Sequence, residues 1–198
     1  MNKPSSGFVT FLFTDIEGST KLAQDFPDTL QIALEKHHTI LHKATESNNG
    51  FVYEIVGDAF CCAFENAEDA IKAAIHAQIN LANENWGDVR IKIRIGLHSG
   101  NVEWNGKRYM GYITLARTAR IMSAAYGEQI IISNDVYELA KEKIPNIISF
   151  RDLGERRLKD LKQPIRLFQI QSKGLREDFP PLNTLDARPN NLPVQLTS

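Results

Sequence analysis

The stretch Phe8-Val9-Thr10-Phe11-Leu12-Phe13-Thr14-Asp15 and its counterpart Phe51-Val52-Tyr53-Glu54-Ile55-Val56-Gly57-Asp58 decide how this chain is read. Each is rich in aromatic, aliphatic and β-branched residues and ends on an aspartate, the pattern of a strand leaving a core at a polar end. A carboxylate at a strand end costs less to desolvate if a divalent cation binds it. Two such carboxylates can hold a pair of Mg²⁺ ions against phosphate oxygens. Asp15 and Asp58 are therefore candidate ligands of one metal site.

Between the apolar runs 51–56 and 59–64 lies only Gly57-Asp58. A two-residue Gly-Asp break signals a hairpin and puts Asp58 at its tip. Further strand-like runs at 7–14, 89–98, 129–132 and 165–171 alternate with helical patterns at 18–26, 28–48, 67–85, 113–125 and 134–142. This alternation predicts an α/β sandwich, a sheet covered by the apolar faces of helices. If the first strand pairs beside the hairpin, both aspartates project from one rim of the sheet, where a polyanion can bind. The turn after Asp15, Ile16-Glu17-Gly18-Ser19-Thr20, supports the same idea. Its glycine permits close backbone approach and the next helix offers unpaired N–H groups to a phosphate, although the same residues also make a plain helix cap.

The composition fits one globular domain, with 198 residues, 42% hydrophobic and 24% charged. A formal net charge of −1 argues against a nucleic-acid partner. No apolar stretch approaches the roughly 20 residues that span a bilayer, and Met1–Gly7 lacks the hydrophobic segment of a signal peptide. The chain reads as cytoplasmic, without a membrane partner. Cys61 and Cys62 are adjacent in a strand, so their side chains take opposite faces and do not readily pair or chelate one zinc ion. From residue 174 onward, Pro180, Pro181, Pro189 and Pro193 interrupt a polar segment without periodicity. The expected division is a domain over 1–173 and a Pro-rich linker over 174–198, leading toward a further, effector-type domain of a longer parent chain.

Phe13-Thr14-Asp15-Ile16-Glu17-Gly18-Ser19-Thr20, Gly57-Asp58-Ala59-Phe60, Arg94-Ile95-Gly96-Leu97-His98-Ser99-Gly100, Ala119-Arg120 and Leu158-Lys159 follow one another over residues 7–171. Together they resemble the class III nucleotidyl (adenylate/guanylate) cyclase catalytic domain, and several motifs in order are more specific than any one alone. The resemblance implies a ferredoxin-like βαββαβ core with a mainly antiparallel sheet. It also implies a head-to-tail homodimer with sites at the interface, and a phosphorus–oxygen lyase that makes a 3′,5′-cyclic nucleotide and pyrophosphate from a nucleoside triphosphate for signalling. By the same resemblance Asp15, Asp58 and the Ile16 carbonyl hold two Mg²⁺ or Mn²⁺ ions per site. Glu17, Gly18, Ser19, Thr20 and Gly57 then lie against the substrate. Arg120 matches the arginine that stabilises charge on the α-phosphate in the transition state; its alternative role is a solvated helix charge. Lys159 resembles the lysine that contacts the terminal phosphates, with Lys162 as its competitor.

Three positions depart from the pattern. Where adenylyl cyclases carry a lysine that bonds adenine, this chain has Glu54, an acceptor-only group that suits the N1–H and N2–H₂ donors of guanine. The second base-selecting position falls at Arg108 or Tyr109, neither of which follows a purine rule. Ala116 stands where the family has a ribose-orienting asparagine, one helical turn before Arg120. The expected function is a cyclase acting on ATP or GTP, with a leaning toward GTP. The alternative is a catalytically weak or silent cyclase-like module that dimerises or senses nucleotide. A diguanylate-forming enzyme ranks last, because its Gly-Gly-acidic-acidic-Phe hairpin is missing. His37, His38 and His42 read as core-edge or exposed residues and His98 as structural support. Trp104, Tyr109, Met110 and Tyr112 form an aromatic arm, either an ordinary hairpin or a surface for the partner subunit.

Overall fold

In the computed structural model, which describes residues 5–187, the first of the opening runs forms β1 (Gly7–Ile16) in the interior of the sheet. Strand alternation sends Leu12 and Ile16 into one helical layer and Val9, Phe11 and Phe13 into the other. A strand buried on both faces has no solvent side, which explains a mostly apolar run whose two threonines, Thr10 and Thr14, are themselves buried and hydrogen-bonded. Next come α1 (Ser19–Asp25), α2 (Leu30–Glu46), β2 (Phe51–Val56), β3 (Ala59–Phe64), α3 (Ala67–Asn83) and β4 (Ile93–Trp104). Their spatial order β2-β3-β1-β4 is the ferredoxin-like arrangement.

The sheet is extended by β5 (Tyr109–Met110), β6 (Ile130–Ser133), β7 (Ile148–Arg156) and β8 (Ile165–Ser172), with α4 (Tyr112–Ala124) and α5 (Asn134–Ala140) between them. The complete order is β2-β3-β1-β4-β6-β8-β7, with β5 paired to β4. Among the described residues every pairing is antiparallel except that of β4 with β6. Leu12, Phe60, Ile95 and Leu97 pack with α2, α3 and α5 on one face. On the other, Ile121 and Ala124 of α4 meet Ile131 and Leu167. A Cβ on Gly96 would lie 2.3 Å from the Met122 nitrogen, so α4 rests its backbone directly on β4.

Several expectations need correction. β4 begins at Ile93, after an irregular approach in which Val89 and Ile91 are buried and Arg90 is exposed, and continues to Trp104. β7 was not expected, because an edge strand with its outer face in water carries charges at the positions that would announce it. Of the two readings of the aromatic arm the hairpin is the one seen, pairing Glu103 with Met110 and Trp104 with Tyr109. Tyr109 is buried in its own subunit, edge-on to Phe11 and Tyr53 at 5.0 Å and to Trp104 at 4.9 Å, whereas Met110 and Tyr112 are exposed. His37 is fully buried rather than at an edge, because Phe60 offers its ring to His37, His38 and His42 together. Of the segment read as a linker, the part up to Asp186 is hydrogen-bonded to the domain, with Leu182 and Thr184 buried. Pro189, Pro193 and the rest of 188–198 lie outside the described residues. Among the described residues no helix is long and apolar enough to cross a membrane.

Candidate active site

Asp15 is the penultimate residue of β1, directly opposite Arg94 in the β1–β4 register. Arg94 donates from Nε at 2.8 Å and from Nη2 at 2.5 Å to the same oxygen, Asp15 Oδ2. Asp58 follows Gly57, whose φ of 64° makes the tight β2–β3 turn possible. The hairpin is tied back to β1 twice: Ile16 N donates to Asp58 Oδ2 at 3.2 Å, and Phe60 N donates to Thr14 Oγ1 at 3.2 Å. Asp15, Ile16 and Asp58 are thereby gathered at one rim of the sheet. The rim already carries a positive charge, the Arg94 guanidinium on Asp15. Among the described residues no group of three or more His, Cys, Asp or Glu could hold a metal ion. Mg²⁺ needs no such group, since it uses one or two carboxylates together with substrate phosphates.

Glu17 is engaged elsewhere. Its Oε1 accepts from Gly127 N at 2.9 Å and its own N donates to Lys92 O at 2.9 Å, which fixes the loop after β1. Gly18 takes a left-handed φ of 70° as the N-cap of α1, and no side chain caps that helix. The amides from Ser19 and Thr20 onward are thus the orphan donors of a helix start.

Glu54 is exposed on β2 and pairs across the strands with Cys61, just after a register shift. Burial, with the Glu54 carboxylate adding to it, pushes the Cys61 thiol up to about 11, so the sulfur stays protonated. Arg108 is exposed at the β4–β5 turn, where its N bonds Asn105 Oδ1 at 2.9 Å, while Tyr109 belongs to the core. Ala116 is half-buried on α4.

Arg120, one turn further along α4, binds Asp160 through Nη2–Oδ2 at 2.6 Å. Asp160 follows Lys159 in the β7–β8 loop and takes a φ of 62°. Arg120, Ser123 and Lys159 line a cavity of about 240 Å³ together with Asn183 and Thr184 from the C-terminal segment; Lys162, Asp15 and Asp58 are not among the lining residues. The fold therefore presents a rim of carboxylates and, bridged to it by the Arg94–Ser123 contact, a cavity lined by Arg120 and Lys159.

Residues 1–172 match the adenylate and guanylate cyclase catalytic domain family. The chain belongs to that family. An uncharacterized protein of Mycobacterium tuberculosis is 35% identical over 201 residues, covering 98% of this cyclase domain chain and 67% of that protein. Among solved structures, an adenylate cyclase from Trypanosoma brucei in its monomeric state shares the fold with a TM-score of 0.84 at 23% identity, over 92% of this chain and 98% of that one. The adenylyl cyclase of P. aeruginosa gives a TM-score of 0.72 at 22% identity, over 89% and 98%.

Arg94 and Asp160, like the cavity-lining Ser123, Asn183 and Thr184, have a place that only the structure gives. Arg94 stood inside a quoted motif without a role, although pairing β1 with β4 around their aspartate and arginine ends would have set it against Asp15. Asp160 had no such signal, because its contact with Arg120 depends on a left-handed loop residue that no local pattern announces.

Proposed function

We propose that this cyclase domain converts a purine nucleoside triphosphate, GTP in preference to ATP, to its 3′,5′-cyclic monophosphate and pyrophosphate. It acts as a cytoplasmic homodimer with sites at the interface, inside a longer chain whose further domain receives or sends the signal. The observation that carries the reading is the gathering of Asp15, Ile16 and Asp58 at one rim of the sheet; Arg120 and Lys159 line a neighbouring cavity, whose Ser123 carbonyl accepts from the Arg94 that pairs with Asp15. A head-to-tail second copy would set the rim of one subunit against the cavity of the other.

Asp15, Asp58 and the Ile16 carbonyl are the groups that would hold two Mg²⁺ or Mn²⁺ ions. Such ions, when bound, lower the pKa of the ribose 3′-hydroxyl and neutralise triphosphate oxygens. The chain's own residues bind and orient. The amides at Gly18, Ser19 and Thr20 and the turn at Gly57 receive phosphate oxygens. Arg120 exchanges Asp160 for the α-phosphate and stabilises the charge that grows there as the 3′-oxygen attacks in line. Lys159 acts as a point charge on the departing pyrophosphate. Glu54 accepts from guanine N1–H and N2–H₂. Ala116 leaves the ribose without an amide to orient it, which slows turnover rather than abolishing it.

A second reading, a silent nucleotide-sensing module, draws on Ala116 and on the fact that both arginines of the site are already paired with aspartates. Product analysis with ATP, GTP, CTP and UTP in Mn²⁺ separates the two. Cyclic GMP should exceed cyclic AMP with the wild type, and Asp58→Ala should lose product by at least about 100-fold. Nucleotide binding without any cyclic product from the four triphosphates would overturn the enzymatic reading.

A further inference from the structure

The chain does not leave the domain after β8. Gln169 Nε2 donates to Glu177 O at 2.7 Å, and the Arg176 guanidinium lies 4.7 Å from the Phe179 ring centre. The segment then crosses to the far end of α4, where Tyr126 Oη donates to Pro181 O at 2.9 Å. Asn183 N donates to Ala124 O at 3.1 Å, supplying a partner to one of the carbonyls left over at the helix C-terminus. Two residues later Leu185 N donates to Arg157 O at 3.0 Å, and Asp186 Oδ2 accepts from Arg157 N at 2.7 Å. Residues 181–186 therefore bond α4 on one side and the start of the β7–β8 loop on the other.

Those two elements carry the cationic half of the site. Ala124 is one helical turn beyond Arg120, and Arg157 is two residues before Lys159. Leu182, 6% exposed, is buried in one cluster with Ile121 and Leu158, the immediate neighbours of Arg120 and Lys159. Asn183 and Thr184 line the cavity into which Arg120 and Lys159 open.

We propose that residues 181–186 are a positioning clamp that holds Arg120 and Lys159 in register with each other and closes the polyphosphate cavity. This rests on the cyclase reading above, and it extends the catalytic unit about a dozen residues beyond the end of the family match at residue 172. A phosphoryl-transfer site whose two cations sit on different elements needs their separation fixed, because catalysis there is largely positioning and electrostatic stabilisation. Any load on the chain beyond residue 187 would reach Arg120 and Lys159 through this segment.

The test uses the full chain with Leu182→Ala, Asp186→Ala and the volume-conserving Leu182→Met, each alone and combined with Arg120→Ala. Asp186→Ala removes one exposed acceptor and guards against a folding defect in Leu182→Ala. kcat is expected to fall about 10-fold in Leu182→Ala and by a smaller factor in Asp186→Ala, and to return in Leu182→Met. In the Arg120→Ala background the same substitutions should cost less than about twofold, since a clamp that keeps the two cations in register has no register left to keep once one of them is gone. Full single-variant losses persisting in that background, or wild-type kcat in both variants, would overturn the clamp. Calorimetry with tripolyphosphate keeps this separate from the cyclase reading. If the wild type makes no cyclic nucleotide, weaker tripolyphosphate binding by both variants still supports the clamp, and equal binding refutes it.

Discussion

Arg94 and Asp15 face each other across β4 and β1, with two guanidinium nitrogens converging on one carboxylate oxygen at 2.8 and 2.5 Å. The rim proposed to hold divalent cations thus carries a cation of its own, and an incoming ion must compete with it. A partly exposed pair of this kind contributes about 1 kcal/mol, close to a fivefold change in affinity. Arg94→Gln should therefore tighten Mn²⁺ binding several-fold, read by calorimetry or Mn²⁺ paramagnetic resonance without nucleotide. An unchanged dissociation constant would mean that the guanidinium does not compete.

Arg120 is held in the same manner by Asp160, but with side chains 37% and 61% exposed. Solvent screening makes such a pair almost worthless to the fold. Asp160→Ala should leave the melting temperature within about 1 °C, because a few tenths of a kcal/mol move it little. It should strengthen tripolyphosphate binding, since the arginine no longer has to release a carboxylate. A loss of affinity would instead give Asp160 the task of orienting Arg120 toward phosphate.

Glu54 stands exposed on β2 beside the half-buried Cys61, at a point where the strand register shifts. A carboxylate there can accept two donors from guanine and none from adenine N1, which is itself an acceptor. Glu54→Lys should lower kcat/KM for GTP by about 10- to 100-fold, the cost of leaving base donors unpaired, and raise the ratio of ATP to GTP turnover. Parallel losses with both nucleotides would remove Glu54 from base selection.

Gly96 lets α4 lie on β4, since an added Cβ would come within 2.3 Å of the Met122 backbone nitrogen. Backbone cannot swing aside as the end of a side chain can. Gly96→Ala should destabilise the domain by about 1–3 kcal/mol or more in urea titrations and reduce cyclase activity beyond the loss of folded protein, because α4 carries Arg120. Wild-type stability would show that the helix shifts without cost.

The interior of the fold was legible in the sequence because β1, β3 and the faces of α2 and α3 are selected by burial, which leaves periodic apolar traces. The aspartates were legible for a related reason, each standing where such a trace stops. β7 was not, since an edge strand with charges at Arg151, Asp152, Glu155 and Arg156 has no one-sided apolar pattern. The part of the site contributed by Asn183 and Thr184 was hidden too. A segment held by backbone hydrogen bonds and one buried leucine differs little in composition from a linker. Contacts distant in sequence, such as Arg120 with Asp160, follow from the fold rather than from local pattern.

Among the described residues His37 has no hydrogen-bond partner at either ring nitrogen, and it is packed edge-on to Phe60 at 5.6 Å. Burial, with a smaller contribution from His38, pushes its pKa down from 6.5 to about 3. The unfolded chain protonates this ring below 6.5, and the native state only near 3. Between those values the unfolded state binds more protons, so stability falls as pH falls. At pH 5 this amounts to about 2 kcal/mol from His37 alone. His98, lowered to about 4 by burial against the pull of Asp135, acts in the same direction. His37→Leu removes two unpartnered nitrogens and the titration together. Relative to wild type it should be more stable at pH 5 by about 2 kcal/mol beyond any difference at pH 7.5, measured by urea unfolding. An equal change in the stability of both proteins between pH 7.5 and 5 would take the acid response away from His37.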